Sequence, residues 1–180
     1  MTHEDHLALL AEGVTTGPAT WADLGSGTGS FTIALAELLG GEGKIISVDR
    51  DGRALREQEQ VLRSRFPRLE VQLIARDFTT LADISGLDGV VMANSLHYQP
   101  DAEGFLRKVK AWLKPGGRLI VVEYDIEMPN PWVPHPMSWR RFSAIAGTVG
   151  FSAVRLLDSR SSRYHRRVYS AAAAAGEEAA

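Results

Sequence analysis

Three glycines at alternate positions, between a short apolar run and a helical pattern, limit the number of folds that this 180-residue chain can adopt. Residues 20–24 form a short, mostly apolar run, which predicts a buried strand. Residues 30–39 place apolar side chains on one face of a predicted helix. Gly25, Gly27 and Gly29 lie between them and allow both a tight turn and the close approach of a ligand to the backbone. A strand, a glycine turn and a helix in this order are typical of a site for a nucleotide-like ligand.

The alternation of apolar runs and helical patterns continues along most of the chain. The runs are continuously apolar, as expected for parallel strands that are buried on both faces. We therefore predict a single α/β domain with helices on both faces of a mostly parallel sheet. The further predicted strands are 44–48, 71–75, 89–93 and 119–123, and the predicted helices are 4–13, 53–63 and 101–112, with a turn at 114–117.

The pattern changes after residue 124. Four prolines lie between residues 128 and 136, and a helix follows whose apolar face ends at Val149. Two strand-like runs, 153–157 and 164–170, have no room for a crossover helix between them, so we expect an antiparallel hairpin. The alanine- and glutamate-rich end is of low complexity, which predicts a domain at 1–170 and a flexible tail at 171–180.

Composition excludes several classes of function. The 20 Lys and Arg nearly balance the 22 Asp and Glu, which gives no overall attraction to nucleic acid or anionic lipid. The absence of cysteine excludes disulfides, thiolate zinc sites and cysteine nucleophiles. His3, His6 and His165 lack the spacing to carboxylates of a metal site, so we expect no metal. No apolar run reaches the roughly 18 residues of a membrane span, and we expect no membrane association and a cytoplasmic location.

Acidic residues on both sides of the glycine turn discriminate between ligands. Asp49 ends the second predicted strand, 20 residues after Gly29, where a carboxylate can accept from both hydroxyls of a ribose. Dinucleotide sites prefer a third glycine one position later, which here is Ser30. Asp23 would repel a pyrophosphate but attract a ligand that carries an ammonium and a sulfonium. Both features favour S-adenosylmethionine over NAD.

With these motifs, the sequence resembles the class I (Rossmann-like) S-adenosylmethionine-dependent methyltransferase superfamily, especially its small-molecule branch. The resemblance covers residues 20–123 and extends more loosely to residue 170. It implies a three-layer domain with a seven-stranded sheet of order 3-2-1-4-5-7-6, in which strand 7 is antiparallel. The hairpin predicted from residues 153–170 agrees with that order.

The resemblance also implies which residues bind the cofactor. The glycine turn would hold its methionine part, and Asp49 would bind the ribose. Arg50 would lie along the adenine, Asp77 would accept from the exocyclic amine, and Phe78 would pack on the ring. From the residues alone, Asp77 can also cap the helix that follows it. The implied cofactor-binding residues are Asp23, Gly25, Ser26, Gly27, Gly29, Asp49, Arg50, Asp77, Phe78 and Asn94.

Methyl transfer depends mainly on aligning the nucleophile, the methyl group and the sulfur, and it needs a base only if the nucleophile must lose a proton. His97 is the candidate catalytic base because it follows the fourth strand, and a packing or capping role fits it equally well. The candidate residues of the substrate pocket are Tyr98, Trp132, His135 and Trp139, with core packing as the alternative for each aromatic.

Three alternatives to a small-molecule enzyme follow from the same sequence. An arginine cluster at 155–167 keeps an RNA or protein methyltransferase open, although a solvated edge hairpin explains it better. The segment after strand four lacks the Pro-Pro motif of enzymes that methylate nucleobase amines, which argues against nucleic acid as the substrate. The third alternative, after an RNA and a protein methyltransferase, is a non-catalytic module that binds S-adenosylmethionine.

Because one short helix precedes the glycine turn, we expect an open site or one completed by a second copy in a homodimer.

Overall fold

Seven strands within the described residues, 1–161 and 167–176 of the computed structural model, form one sheet of order β3-β2-β1-β4-β5-β7-β6. The first five strands pair in parallel, and β7 pairs antiparallel with both β5 and β6. This order and the antiparallel β7 confirm the predicted fold. The strands are β1 Thr20–Leu24, β2 Lys44–Asp49, β3 Glu70–Ala75, β4 Leu87–Ala93, β5 Leu113–Tyr124, β6 Phe151–Ser161 and β7 Arg167–Ala175.

Helices cover both faces of this sheet. Side chains of α1, α2 and α3 join one apolar cluster, and those of α4 and α5 join the other. Successive residues of β5 alternate between the clusters, as Ile120 belongs to the first and Val121 to the second. The predicted helical segments are all present. They are α1 His3–Ala11, α2 Ser30–Leu38, α3 Gly52–Arg65, α4 Ala102–Trp112 and α5 Trp139–Val149, with short 3-10 helices at Phe78–Thr80 and Leu96–Tyr98.

Parallel pairing brings the ends of neighbouring strands to the same edge of the sheet. The glycine turn follows β1, Asp49 ends β2, and Asn94 follows β4. The predicted cofactor residues therefore share one edge because of topology, although they are far apart in sequence.

The predicted tail boundary at residue 171 is wrong. Residues 171–175 belong to β7, where Ala172 lies between Ile120 of β5 and Arg155 of β6. Small alanine side chains fit an inner strand that is covered on both faces, but their low complexity conceals the strand pattern. The domain thus extends to Ala175. Of the predicted strand at 164–170, residues 167–170 belong to β7, and residues 162–166 and 177–180 lie outside the described part.

The predicted turn at 114–117 lies inside β5 as an irregularity of the β4–β5 ladder. Leu87 pairs with Leu113 and Gly89 with Arg118, so β5 has four residues between these partners where β4 has one. Gly116 within it has a φ of 75°, a conformation that glycine adopts without strain. Over residues 1–161 and 167–176, no helix has the length and apolar character needed to cross a membrane.

A substitution of Gly89 tests the packing between β1 and β4. A Cβ at this position would overlap the buried ring of Trp21, so we expect Gly89→Ala to destabilise the protein by about 1–3 kcal/mol. Gly147→Ala is the control, because Gly147 is exposed in α5 and its Cβ would meet open space. It should raise stability by up to about 1 kcal/mol. Urea denaturation measures both, and equal midpoints for the two variants would contradict this packing.

Candidate active site

The backbone amides of the glycine turn after β1 donate hydrogen bonds to β2. Gly25 donates to the Val48 carbonyl at 2.8 Å, and Gly27 donates to Oδ2 of Asp49 at 2.8 Å. Gly25, Gly27 and Gly29 have φ values of 81°, 54° and 88°. Residues with a Cβ rarely adopt this left-handed conformation, so the path of the turn requires glycine at these positions.

Two of the glycines are also required by space. A Cβ on Gly25 would lie 2.6 Å from Cβ of Ser95, and a Cβ on Gly29 would lie 2.5 Å from Cβ of Gln58. A Cβ on Gly27 would meet no atom within 4 Å. The outer glycines therefore allow the turn to pack against the protein, whereas Gly27 presents bare backbone to open space.

A buried polar network supports the turn from α3 and β2. Nε2 of Gln58 donates to the Gly27 carbonyl and to Oγ of Ser26, both at 3.0 Å, and Oγ of Ser47 lies 2.9 Å from Oε1 of Gln58. The sequence does not single out Gln58 as a site residue. Its spacing carries a signal, however, because it shares one face of α3 with the buried Leu55 and Leu62.

Asp49 binds the turn with one oxygen and the next loop with the other. Oδ2 accepts from Gly27, and Oδ1 accepts from the Asp51 amide at 2.8 Å. Each carboxylate oxygen can accept a second hydrogen bond, and the side chain is half-buried. The neighbouring Arg50 is exposed, with Nη1 3.6 Å from Oδ2 of Asp77.

Asp77 caps the 3-10 helix Phe78–Thr80, which was the alternative role. Its Oδ1 accepts from both the hydroxyl and the amide of Thr79, at 2.7 and 2.9 Å, and these bonds lower the pKa of Asp77. The other carboxylate oxygen, Oδ2, faces Arg50. Phe78 lies beside the glycine turn. A Cβ built on Gly25 would be 3.5 Å from Cε1 of the Phe78 ring.

Asp23 is a buried carboxylate with only one of its oxygens bonded. The Thr32 hydroxyl donates to Oδ2 at 2.6 Å, and Oδ1 has no partner. Burial raises the pKa of Asp23 from 3.8 to about 7; the Asp49 carboxylate adds to the rise and the bond from Thr32 opposes it.

Asn94 provides the second buried oxygen at this site that lacks a hydrogen-bond donor. Its backbone is in the left-handed region, with a φ of 53°, and its amide donates to the Val122 carbonyl at 2.8 Å. The side-chain Oδ1 is buried without a partner. Asp23 lies near the end of β1 and Asn94 follows the neighbouring strand β4, so two acceptors without donors lie at one edge of the sheet.

His97 forms a buried pair with Glu123 at the end of β5. Nδ1 of His97 lies 2.6 Å from Oε2 of Glu123, and the His97 amide donates to Oε1 at 3.1 Å. Both side chains are almost inaccessible to solvent, and Nε2 of His97 has no partner. In the described part of the chain, no three His, Asp or Glu residues form a cluster suited to a metal ion.

The candidate substrate residues occupy different environments. Tyr98 is 49% exposed and its ring centroid lies 4.3 Å from that of His97, and Trp132 is 77% exposed on a turn closed by Asn130. His135 is half-buried and its amide donates to the His97 carbonyl at 3.1 Å. Trp139 packs against the core instead, next to Phe142 and Tyr169.

A separate cavity of about 450 Å³ lies at the opposite edge of the sheet, near the starts of β1 and β5. Its charged groups are already engaged: Nζ of Lys114 bonds Oδ1 of Asp88 at 2.7 Å, and Arg118 donates to the Gly13 carbonyl. It contains none of the predicted site residues.

Comparison with known proteins identifies the family. A family described as a methyltransferase domain matches residues 19–166, most of the chain. The chain therefore belongs to this family, and the class that fold and site define is that of the S-adenosylmethionine-dependent class I methyltransferases, as the sequence predicts.

Individual relatives are distant. The chain is 27% identical over 124 residues to a probable cobalt-precorrin-6B C(15)-methyltransferase of Thermoplasma volcanium, covering 69% of this chain and 60% of that one. It is 32% identical over 121 residues to demethylmenaquinone methyltransferase of Lactobacillus johnsonii, covering 67% and 48%. The chain thus spans about half the length of the curated relatives it matches.

A solved structure shares the fold. Magnesium protoporphyrin IX methyltransferase of Synechocystis, crystallised with S-adenosylhomocysteine, superposes with a TM-score of 0.73 at 18% identity. The match covers 96% of this chain and 81% of that one.

The raised pKa of Asp23 predicts an unusual pH dependence of stability. Between 3.8 and about 7 the folded protein holds a proton that the unfolded chain has released. The contribution of Asp23 is thus complete below pH 3.8 and is lost as the pH rises through about 7, by up to about 1.4 kcal/mol per pH unit. Asp23→Asn cannot ionise. We therefore expect its free energy of unfolding, relative to that of the wild type, to be higher at about pH 8 than at about pH 5.

Asp88→Asn is the control for this measurement. Burial opposes ionisation of Asp88, but the hydrogen bonds from Lys114 and Thr20 outweigh it and lower its pKa below 3.8. The difference in free energy of unfolding between Asp88→Asn and the wild type should therefore be the same at about pH 5 and about pH 8. Urea denaturation of the ligand-free proteins measures both variants. A constant difference between Asp23→Asn and the wild type would contradict the burial of an ionisable carboxyl group.

Proposed function

We propose that this domain transfers a methyl group from S-adenosylmethionine to a small organic acceptor. Family membership supports the reaction, and relatives named for a corrin precursor and for a menaquinone precursor support a small acceptor. These names support it over an RNA or protein acceptor. Tight cofactor binding without turnover would instead indicate the non-catalytic module.

Three unpartnered atoms carry the proposal. Among the described residues, the buried side-chain nitrogens and oxygens without a hydrogen-bond partner are Oδ1 of Asp23, Oδ1 of Asn94 and Nε2 of His97. Buried polar groups normally have partners, so the missing ones are expected to come with a ligand. An α-ammonium group has three N–H donors and a positive charge, which suits two oxygens, one of them a carboxylate.

The remaining cofactor residues fit an adenosine. Asp49 keeps acceptor capacity on both oxygens for ribose hydroxyls, and Gly27 allows close approach of the ligand. Phe78 would pack on the adenine, with Oδ2 of Asp77 as acceptor for its amine and Arg50 along its edge. Ser26 and Gly25 would complete the turn. The bound cofactor supplies a methyl group activated by a positively charged sulfur.

On the acceptor side, we assign His97 as the base and exposed aromatic side chains as the apolar wall. Tyr98 adjoins His97, and Trp132 and His135 belong to the segment between β5 and α5 that is bonded to the His97 carbonyl. Trp139 would contribute only through the core contacts that position this segment. A cytoplasmic location and a homodimer stay predictions from sequence.

Calorimetry with S-adenosylhomocysteine tests the cofactor site. We expect Asp49→Asn to weaken binding by about 1.5–3 kcal/mol, because a charged acceptor of ribose hydrogen bonds is lost. Asp51→Asn is the matched control: Asp51 caps α3 through the Arg53 and Ala54 amides, and asparagine caps a helix equally well. Equal affinities of both variants would show that the ribose lies elsewhere, and no binding by the wild type would remove the proposal.

Methyl transfer itself is tested with isotopically labelled S-adenosylmethionine and a set of acceptors. Demethylmenaquinone in its reduced form and arsenite represent the acceptors for which relatives are named, and a short RNA and a histone peptide represent the macromolecular alternatives. We expect label in a small acceptor only. Label in the RNA or the peptide alone would overturn the choice of acceptor class.

A further inference from the structure

Both carboxylate oxygens of Glu123 are directed to a single residue, His97. Oε2 lies 2.6 Å from the ring Nδ1, and Oε1 accepts from the backbone amide of the same residue at 3.1 Å. Glu123 is fully buried at the end of β5, among Val121 and Val122. A carboxylate in so apolar a strand is expensive to bury unless it is paired, and here its partner is the candidate base.

The short distance between Nδ1 and Oε2 determines where the imidazole carries its proton. A carboxylate is an acceptor only, so Nδ1 must hold the hydrogen between them. In a neutral imidazole, Nε2 is then the nitrogen with the free electron pair, and it is also the one that has no partner. A pair that only connected β4 to β5 would not need this second nitrogen, whose burial without a partner is unfavourable.

Resting on the proposed function, we propose that Glu123 is a positioning residue that holds Nε2 of His97 as a proton acceptor, and that the methyl acceptor is a molecule that loses a proton when methylated. Alcohols, phenols, enols and amines with an N–H belong to this class. Thioethers and tertiary amines do not, because they can be methylated without a base.

The atoms balance in this step. A bond forms between the acceptor atom and the methyl carbon, the carbon–sulfur bond breaks, and its electron pair stays on sulfur. The proton of the acceptor moves to Nε2 of His97. Glu123 keeps its charge and its bond to Nδ1, and thereby stabilises the imidazolium, which returns the proton to water after the product leaves.

Nε2 of His97 is inaccessible to solvent in the ligand-free protein, so residues around it must move before an acceptor can reach it. The segment between β5 and α5 rests on this residue through the bond from the His135 amide to the His97 carbonyl. The Tyr169 hydroxyl anchors the same segment by donating to the Met137 carbonyl at 2.8 Å. The exposed Trp132 belongs to this segment, so an apolar acceptor can engage it first.

Nitrogen-15 NMR of the histidine rings in the ligand-free protein tests the geometry without any cofactor. The His97 signals are assigned by their loss in His97→Asn. We expect the wild type to carry a proton on Nδ1 and none on Nε2. In Glu123→Gln, one amide oxygen faces two donors, so the ring proton should move to Nε2, whereas Glu123→Asp should retain it on Nδ1.

Glu127→Gln is the matched control, since Glu127 lies in the same segment and its carboxylate bonds Ser138 rather than His97. It should leave the His97 signals unchanged. A proton on Nε2 in the wild type overturns the proposal. So does a Glu123→Gln protein whose His97 signals match those of the wild type.

Turnover tests the acceptor class with 1,4-naphthoquinol as protic probe and dimethyl sulfide as thioether probe. We expect Glu123→Gln to lower turnover of the naphthoquinol about a hundredfold, with affinity for S-adenosylhomocysteine within about twofold of the wild type. A wild type that methylates only the thioether, or neither probe nor any other protic acceptor, overturns the acceptor class. Loss of S-adenosylhomocysteine binding by the wild type would instead remove the proposed function, and the NMR result would still decide the role of Glu123.

Discussion

Two missing Cβ atoms determine the arrangement of this site. Gly25 lies against Ser95, which follows β4, and Gly29 lies against Gln58 of α3. Any side chain at either position would separate the turn from these neighbours. The polar contacts of Asp49 and Gln58 with Gly27 require the turn to be this close, so the hydrogen bonds depend on the steric contact and not the reverse.

The polar groups of the site then divide into two kinds. Gln58, Ser47 and Thr32 are bonded within the protein and serve to hold the turn and Asp23 in place. Asp23 and Asn94 keep an oxygen without a donor, which costs stability in the ligand-free protein. The fold can hold these buried, unpaired oxygens in place because β1 and β4 are inner strands of the sheet, with neighbours on both sides. Binding sites commonly concentrate such unsatisfied groups in this way.

Local patterns were enough to predict the parallel α/β architecture, the glycine turn and the position of Asp49, because spacing along the chain reflects the strand–turn–helix geometry directly. The sheet order was implied by the resemblance to the methyltransferase superfamily. The strand at Ala171 was not predictable, since alanine fills an inner strand without an apolar alternation. Glu123 could not be recognised as the partner of His97, because their contact depends on the pairing of β4 with β5. The capping bonds of Asp77 were foreseen only as an alternative, since a carboxylate before a helix can serve either role.

A carboxyl group with a pKa of about 7 also connects ligand binding to the acidity of the medium. Around neutral pH, part of the ligand-free molecules hold a proton on Asp23, because burial raises the pKa of this carboxyl group to about 7. A cation placed beside this group favours its ionised form, so association expels a fraction of a proton into the buffer. By reciprocity, a more alkaline medium strengthens the complex over the same range. The protein would thus be loaded with the cofactor more fully in an alkaline medium than in an acidic one, at the same concentration of methyl donor.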